Sequence, residues 1–319
     1  MIIRPDIILP ESSHPKVWAT IVTLNRLEML KECVDALRCQ TRPPDRILVV
    51  DNGSEDGTEE WLNEQDEVMV IRQTNTGSAG GQFTAFKAAY ENGADWIWTM
   101  DDDVFPEKGA LKELLRAIKI VDTPPVLLAS RVVSPCRASM NVPGISMSAP
   151  KDKYANWEEY LADGIVRIEE STFVSILIPR STVQKAGYPQ AEMFLWGDDT
   201  EFTRRCSSIG SAYLVGKSVA EHRRASAEPL NIWRERDVKR LSMYCHLYRN
   251  QAFIAKRHGQ HIFRRNQMVS ISTFLYCLLL LGTSLLDSFK YRRTRPLYAI
   301  LSGTISGIFT NHTIQYPKS

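Results

Sequence analysis

The chain has 319 residues, 44% of them hydrophobic and 24% charged, enough to bury a sizeable core in one large domain or two modest ones. Its formal net charge of +2 gives no reason to expect nucleic acid as a partner. The 6 cysteines show neither a CxxC pair nor a zinc-ligand spacing, which argues against a disulfide framework and for a reducing compartment.

At the N-terminus, Met1-Ile2-Ile3-Arg4-Pro5-Asp6 lacks the apolar run of a secretory signal, so a cytoplasmic location is expected. Val17-Trp18-Ala19-Thr20-Ile21-Val22-Thr23 reads as a buried strand, and the helical spacing of Leu27, Leu30, Val34 and Leu37 follows it. Arg46-Ile47-Leu48-Val49-Val50 is a second apolar run that stops at Asp51-Asn52-Gly53-Ser54. A helix near 58–63, a strand over 68–72, a loop over 75–80, a helix to about residue 90 and a strand over 95–100 complete this half.

Short apolar runs alternating with helices predict an α/β fold whose parallel sheet is covered on both faces. In such sheets ligands sit outside the carboxyl ends of the strands, which points to 23–26, 51–54, 75–81 and 101–103. Every one of these strand ends carries polar or glycine-rich chemistry. Periodicity weakens over 139–154, a loop or lid by its Pro, Gly, Ser and Met content. Further strands are predicted at 173–178, ended by Pro179, and at 212–219, with a loop entering a helix over 193–207.

Beyond about residue 226 the chain reads as helical, with an apolar stretch at 268–289. Lys256, Arg257, Arg264 and Arg265 precede it, and Lys290, Arg292, Arg293 and Arg295 follow. The stretch approaches the roughly 20 residues of a membrane span, but Ser270, Ser272, Thr273, Thr283, Ser284 and Asp287 interrupt it. Basic residues on both flanks favour an interfacial helix pair on an anionic membrane surface. A soluble helical cap, or a subunit interface in a homo-oligomer, is the other reading.

The chemistry concentrates in five places. Asp101-Asp102-Asp103 ends a strand; adjacent carboxylates repel, and alternation along an extended segment lets Asp101 and Asp103 face one site. Hard oxygen ligands suit Mg²⁺ or Mn²⁺ bridging to substrate phosphates, although a solvated acidic turn or a helix cap has the same residues. Asp51 can accept from a base N–H or a ribose hydroxyl, while Ser54–Thr58 reads as a turn and cap. The glycines of Asn75-Thr76-Gly77-Ser78-Ala79-Gly80-Gly81 serve turn geometry or the approach of a diphosphate to a helix N-terminus. Gly197-Asp198-Asp199, after the aromatic Phe194-Leu195-Trp196, offers helix capping or a general base, with Trp196 as a flat face for a sugar. His222, beside Arg223 and Arg224, is either structural or a third ligand that would favour Mn²⁺.

Thr23-Leu24-Asn25-Arg26, Asp51-Asn52-Gly53-Ser54, the aspartate triplet, Gly197-Asp198-Asp199-Thr200-Glu201 and then His222 keep the order and approximate spacing of family 2 glycosyltransferases. Residues 16–225 resemble that family. The resemblance implies a GT-A fold with a Rossmann-like mixed sheet, a catalytic domain over 1–225 and a helical, membrane-associating region over 226–319. The 75–81 loop, Gly93-Ala94-Asp95-Trp96-Ile97-Trp98 and the triplet look most like bacterial galactofuranosyltransferases. Rhamnosyltransferases look similar and share Tyr248-Arg249-Asn250.

Carried over, the resemblance implies an inverting, metal-dependent hexosyltransferase using UDP-galactofuranose, with dTDP-rhamnose as the alternative donor. The acceptor would be a polyprenyl-diphosphate-linked glycan, met by a peripheral enzyme on the cytoplasmic face of the inner membrane. Asp101, Asp103 and His222 would hold Mn²⁺ or Mg²⁺. Thr23, Asn25, Arg26, Asp51, Asn75, Gly80, Asp101 and Asp102 would contact the donor nucleotide. Asp199 would be the base, with Asp198 as the alternative, and Trp196 would meet the acceptor. Two other classes compete: a phosphohydrolase with an aspartyl nucleophile, and a catalytically silent sugar-nucleotide-binding scaffold.

Overall fold

The computed structural model describes residues 15–147, 149, 154–224, 231–258, 260–264, 267–271, 273–291 and 294–318. The N-terminal hexapeptide, part of the 139–154 loop, and Arg265, Arg292 and Arg293 lie outside the described residues.

The first half alternates as expected: β1 (Val17–Thr23), α1 (Leu27–Arg38), β2 (Arg46–Asp51), α2 (Thr58–Asn63), β3 (Val68–Arg72), α3 (Gly77–Glu91) and β4 (Trp96–Asp101). All seven residues of β1 are buried because helices cover both faces of the sheet; Leu30, Cys33, Val34 and Leu37 of α1 pack on one side, and Phe86 and Ala89 of α3 belong to the cluster on the other. The chain continues through β5 (Val104–Pro106), α4 (Ala110–Ile118), β6 (Leu127–Val133), β7 (Ser139–Met140), β8 (Gly144–Ile145), β9 (Ile165–Glu170), β10 (Ile176–Pro179), α5 (Arg180–Ala186), α6 (Asp198–Ser207) and β11 (Ala212–His222).

These strands form one sheet in the order β3-β2-β1-β4-β10-β6-β11-β9-β8, with β5 on β11 and β7 on β6. The expectation of a parallel sheet holds for β3-β2-β1-β4. Beyond β4 the sheet is mixed, since β10 runs antiparallel to both β4 and β6. Pro179 is the last residue of β10 rather than a stop before it, a strand end being where a missing N–H costs no ladder bond. The strand predicted at 212–219 runs on to His222 through an irregularity between Val215 and Val219. That extension pairs with β5, setting His222 opposite Val104 and so beside the aspartate triplet.

The C-terminal part holds α7 (Val238–His258), a hairpin of β12 (Gln260–Arg264) and β13 (Gln267–Ile271), α8 (Thr273–Tyr291) and α9 (Arg295–Phe309). The predicted apolar stretch thus begins in a strand and becomes helical only at Thr273. Among the described residues no helix is long and apolar enough to cross a membrane. α9 lies close against α7: a Cβ on Gly303 would sit 2.5 Å from the Cys245 carbonyl oxygen, and one on Gly307 2.2 Å from that of Arg249. The segment after α9 returns to the first region, where the Tyr188 N–H donates to the Gln315 carbonyl at 2.8 Å.

Candidate active site

A cavity of about 800 Å³ opens at the carboxyl ends of β1 and β4, where the chain order of the parallel strands reverses direction across β1. Its floor is the triplet. Asp102 and Asp103 are 4% and 5% exposed, and Asp101 is half-buried. Arg26 Nη1 donates to Asp103 Oδ2 at 2.6 Å and to Asp102 Oδ1 at 3.1 Å, while Thr23 Oγ1 donates to Asp102 Oδ2 at 2.8 Å. His222 Nε2 lies 3.1 Å from Asp103 Oδ1, and its Nδ1 is 2.9 Å from Asn141 Oδ1.

Burial, then the charges of Asp103 and Asp102, pushes the Asp101 carboxyl well above the usual carboxylate range. Burial also raises Asp102, to about 6, against the opposing pull of Arg26. For Asp103 burial works upward too, but the hydrogen bond and charge of His222, with Arg26, hold it below its ordinary value. A concentration of carboxylates that resists full ionisation is what a cation relieves.

The donor atoms fit a divalent metal. Asp101, Asp103 and His222 can each offer one ligand atom, all within 4.8 Å of one another. Asp103 Oδ1 is buried and faces His222 Nε2. Asn141 Oδ1 can only accept, so His222 Nδ1 donates to it, and Nε2 is the nitrogen that faces the carboxylates. Two carboxylate oxygens and one imidazole suit Mn²⁺, and Mg²⁺ less well.

The loop that feeds α6 lines the same cavity. Phe194, Leu195, Trp196, Asp198 and Asp199 all line the cavity. Gly197 (φ 94°) makes the turn into the helix, which puts both aspartates in its first turn. Asp198 is buried with Oδ2 unpartnered, whereas Asp199 Oδ1 accepts the Thr200 N–H at 2.7 Å. Burial pushes both carboxyls up; the neighbouring Asp199 charge adds to the rise at Asp198, and the Thr200 N–H tempers it at Asp199. Trp196 leans on Tyr244 of α7, ring centroids 5.1 Å apart.

Of the sequence-predicted residues, Thr23, Arg26, Asn75, Asp101, Asp102, Asp103, Trp196, Asp198, Asp199 and His222 meet in this one cavity. Three stand behind its wall. Asp51 is buried, accepting the Ser54 N–H on Oδ1 at 2.8 Å, with Arg72 Nε 3.8 Å from Oδ2; its neighbour Asn52 lines the cavity instead. Asn25 (φ 53°) accepts the Glu55 N–H at 2.7 Å and joins the β1 and β2 loops. Gly80 is a close-packing position, where a Cβ would fall 2.2 Å from Thr76 Oγ1. The glycine at the cavity is Gly77 (φ 78°), whose N–H is capped by Asn75 Oδ1 at 2.9 Å.

Sequence reasoning missed Asn141, Arg240 and Met243, and left Arg224 as a mere neighbour of His222. Asn141 adopts φ 45°, which asparagine tolerates better than most residues, but nothing in its neighbours flags it. Arg240 and Met243 come from α7, so the C-terminal region forms part of the cavity wall.

Residues 19–140 match the family described as Glycosyl transferase family 2. Over 204 residues, 61% of this chain and 66% of the relative, the chain is 30% identical to galactofuranosyltransferase GlfT1 of Mycolicibacterium smegmatis. It is 29% identical over 211 residues to GlfT1 of Mycobacterium tuberculosis, covering 61% and 65%. The match thus spans a little under two thirds of these relatives' length. The solved structure of GalNAc-T7 with UDP, GalNAc and Mn²⁺ superposes with a TM-score of 0.55 at 14% identity, over 77% of this chain and 48% of that one. Residues 19–140 are a glycosyltransferase family 2 domain, set in a mixed sheet of the GT-A fold.

Proposed function

We propose that this chain is an inverting, metal-dependent glycosyltransferase that moves galactofuranose from UDP-galactofuranose to a hydroxyl of a polyprenyl-diphosphate-linked glycan. The observation that carries the reading is one cavity lined by two acidic groups, the triplet at the end of β4 and the Asp198-Asp199 pair on α6. Inversion needs the nucleophile and the leaving group on opposite faces of the anomeric carbon, and two separate carboxylate groups provide for that. The identity to GlfT1 proteins supports the choice of donor sugar.

The nucleoside diphosphate would lie over the triplet, with Asn52, Asn75 and the backbone at Gly77 along its path. Asp101, Asp103 and His222 would hold Mn²⁺ or Mg²⁺, which when bound neutralises charge on the departing diphosphate. Arg224 and Arg240 face the same space and add positive charge there. Asp199 takes the proton of the acceptor hydroxyl as the new glycosidic bond forms and the bond to the diphosphate breaks, with Asp198 buried beside it, its Oδ2 unpartnered. Trp196 offers its face to the acceptor sugar. On this reading 1–225 is the catalytic domain, and 226–319 completes it and brings it to a membrane.

The direct test is incubation of the protein with Mn²⁺, a polyprenyl-linked acceptor mimic and a panel of sugar nucleotides. Transfer from UDP-galactofuranose is expected. Transfer from dTDP-rhamnose alone would replace the donor, and release of phosphate without transfer, or binding without turnover, would replace the function.

The lipid-linked acceptor is approached along α8 and α9. Leu286, Tyr298 and Phe309 are 72%, 76% and 79% exposed, with Leu285 and Ile305 also outside the core. No acidic residue follows Asp287 in the sequence, whereas Lys290, Arg292, Arg293, Arg295 and Lys318 do. An apolar stripe with basic neighbours docks on anionic headgroups at the cytoplasmic face of the inner membrane. The double change Ile305→Glu and Phe309→Glu is expected to lower binding to anionic vesicles about tenfold or more. Unchanged flotation would remove the docking surface.

A further inference from the structure

The loop 191–197 is held in a shape it would not keep alone. Phe194 (φ 62°) and Trp196 (φ 61°) both occupy the left-handed region, which non-glycine residues avoid, and Gly197 (φ 94°) follows. What over-determines this backbone is a set of donors from α7, some fifty residues further along the chain. Asn250 is fully buried, and its Nδ2 lies 2.9 Å from the Met193 carbonyl oxygen, 3.1 Å from that of Leu195 and 2.7 Å from that of Trp196. Arg249 Nη2 donates to the carbonyls of Met193 at 2.8 Å and Glu192 at 3.1 Å. Arg249 Nε also donates to Asn250 Oδ1 at 3.0 Å, which fixes the amide with its N–H groups towards the loop.

A second grip lies one turn past the aspartates. Glu201 of α6 is fully buried and accepts from Arg205 and from Arg257 Nη1 of α7, the latter at 3.1 Å. The Asp198-Asp199 pair is therefore bracketed by contacts to one helix, before it at 193–196 and after it at 201. From the opposite side, the Ala79 N–H of α3 donates to the Phe194 carbonyl at 3.1 Å.

We infer that Asn250, oriented by Arg249, is a positioning residue that sets the height of Asp198, Asp199 and Trp196 against the triplet. The inference rests on the glycosyl-transfer reading and extends it, because it makes the C-terminal region part of the catalytic machinery as well as a means of docking. Without the amide, the Leu195 and Trp196 carbonyls lose this donor and Met193 keeps only its other partners, the left-handed positions relax, and the pair moves off line. Donor binding, built mostly on β1, β2, α3 and β4, is spared.

The test compares the full-length wild type with Asn250→Ala and Arg249→Lys, using the sugar nucleotide that the donor panel identifies. For Asn250→Ala, kcat is expected to fall about 50-fold while the donor KM stays within about threefold, the split that marks lost alignment in the transition state. Amide exchange over 193–199 should quicken while β1–β4 keep their protection. Arg249→Lys keeps the charge but loses the planar fork, and should lower kcat about fivefold with the same split. If Asn250→Ala does not fold, Arg249→Lys carries the test. A kcat within about twofold of wild type in the folded variants, or a loss borne equally by donor KM with exchange raised throughout, overturns the inference. A wild type inert towards every donor sinks the transferase reading instead.

Discussion

Asp199→Asn is expected to lower kcat for transfer about 10³-fold, with donor affinity and thermal stability close to wild type. A sugar hydroxyl attacks only as its proton leaves, and the amide keeps the shape of the carboxylate while being unable to take that proton. Asp199 rather than Asp198 carries the role because it is the less buried of the two and its carboxylate is steadied by the Thr200 N–H. Asp198, with an unpartnered oxygen in a closed environment, is better suited to hold a proton at neutral pH.

The same assignment fixes the sign of the pH dependence. Burial pushes the Asp199 carboxyl up to about 6, so the ionised, working form is lost as pH falls through that value. For the wild type, kcat should therefore fall about tenfold per unit on the acid side and level off above about pH 7. Asp102 is raised to a similar value, so the limb alone does not identify its owner. The residual activity of Asp199→Asn separates them: the acid limb should vanish if Asp199 owns it. A variant that keeps both its rate and the limb would remove Asp199 from the mechanism.

The parallel half of the sheet was legible because each strand there is an apolar run with an abrupt polar end, and α1 between the first two carries a regular apolar face. Strand direction beyond β4 was not legible, since Ile176-Leu177-Ile178, buried on both sides, has the same composition whichever way it runs. β5 is three residues long, too short for any period, and its partner on β11 lies more than a hundred residues away. Yet this short pairing places His222 at the triplet. A lone histidine after a strand therefore could be read only as one of two things until the topology was known.

For the site itself, chemistry with a strand end behind it was readable, and chemistry supplied from elsewhere was not. Asp101, Asp103 and Asp199 announce themselves by crowding, because adjacent carboxylates need a reason to be together. Asp51 was readable as a strand-end carboxylate, but the side chain that faces the cavity is that of its neighbour, a difference of one residue that alternation decides. Asn141 and Asn250 matter through contacts made across 81 and 57 positions of sequence, which no local pattern encodes, and Arg240 reaches the cavity from a helix of the C-terminal region.

Asp103 is the residue on which the donor side turns, and Asp103→Asn is expected to lower kcat/KM about 10³-fold. Its two oxygens serve different partners, Oδ2 the Arg26 guanidinium at 2.6 Å and Oδ1 the His222 Nε2 at 3.1 Å. The asparagine fills the same volume but removes the charge that both partners face. It leaves Asp101 as the one carboxylate in the set of three candidate ligand atoms. Mn²⁺ binding in the presence of UDP, followed by calorimetry or by the paramagnetic signal of the ion, should weaken about 100-fold in the variant. A chelator in excess should bring the wild type down to a rate near that of the variant, and the variant should lose little more. Thr23→Val provides the contrast: it removes only the hydrogen bond that steadies Asp102 and should cost about tenfold, with Mn²⁺ affinity retained. Normal turnover and normal Mn²⁺ affinity in Asp103→Asn would mean that the triplet is held together by Arg26 for structural reasons, and that the diphosphate is bound elsewhere in the cavity.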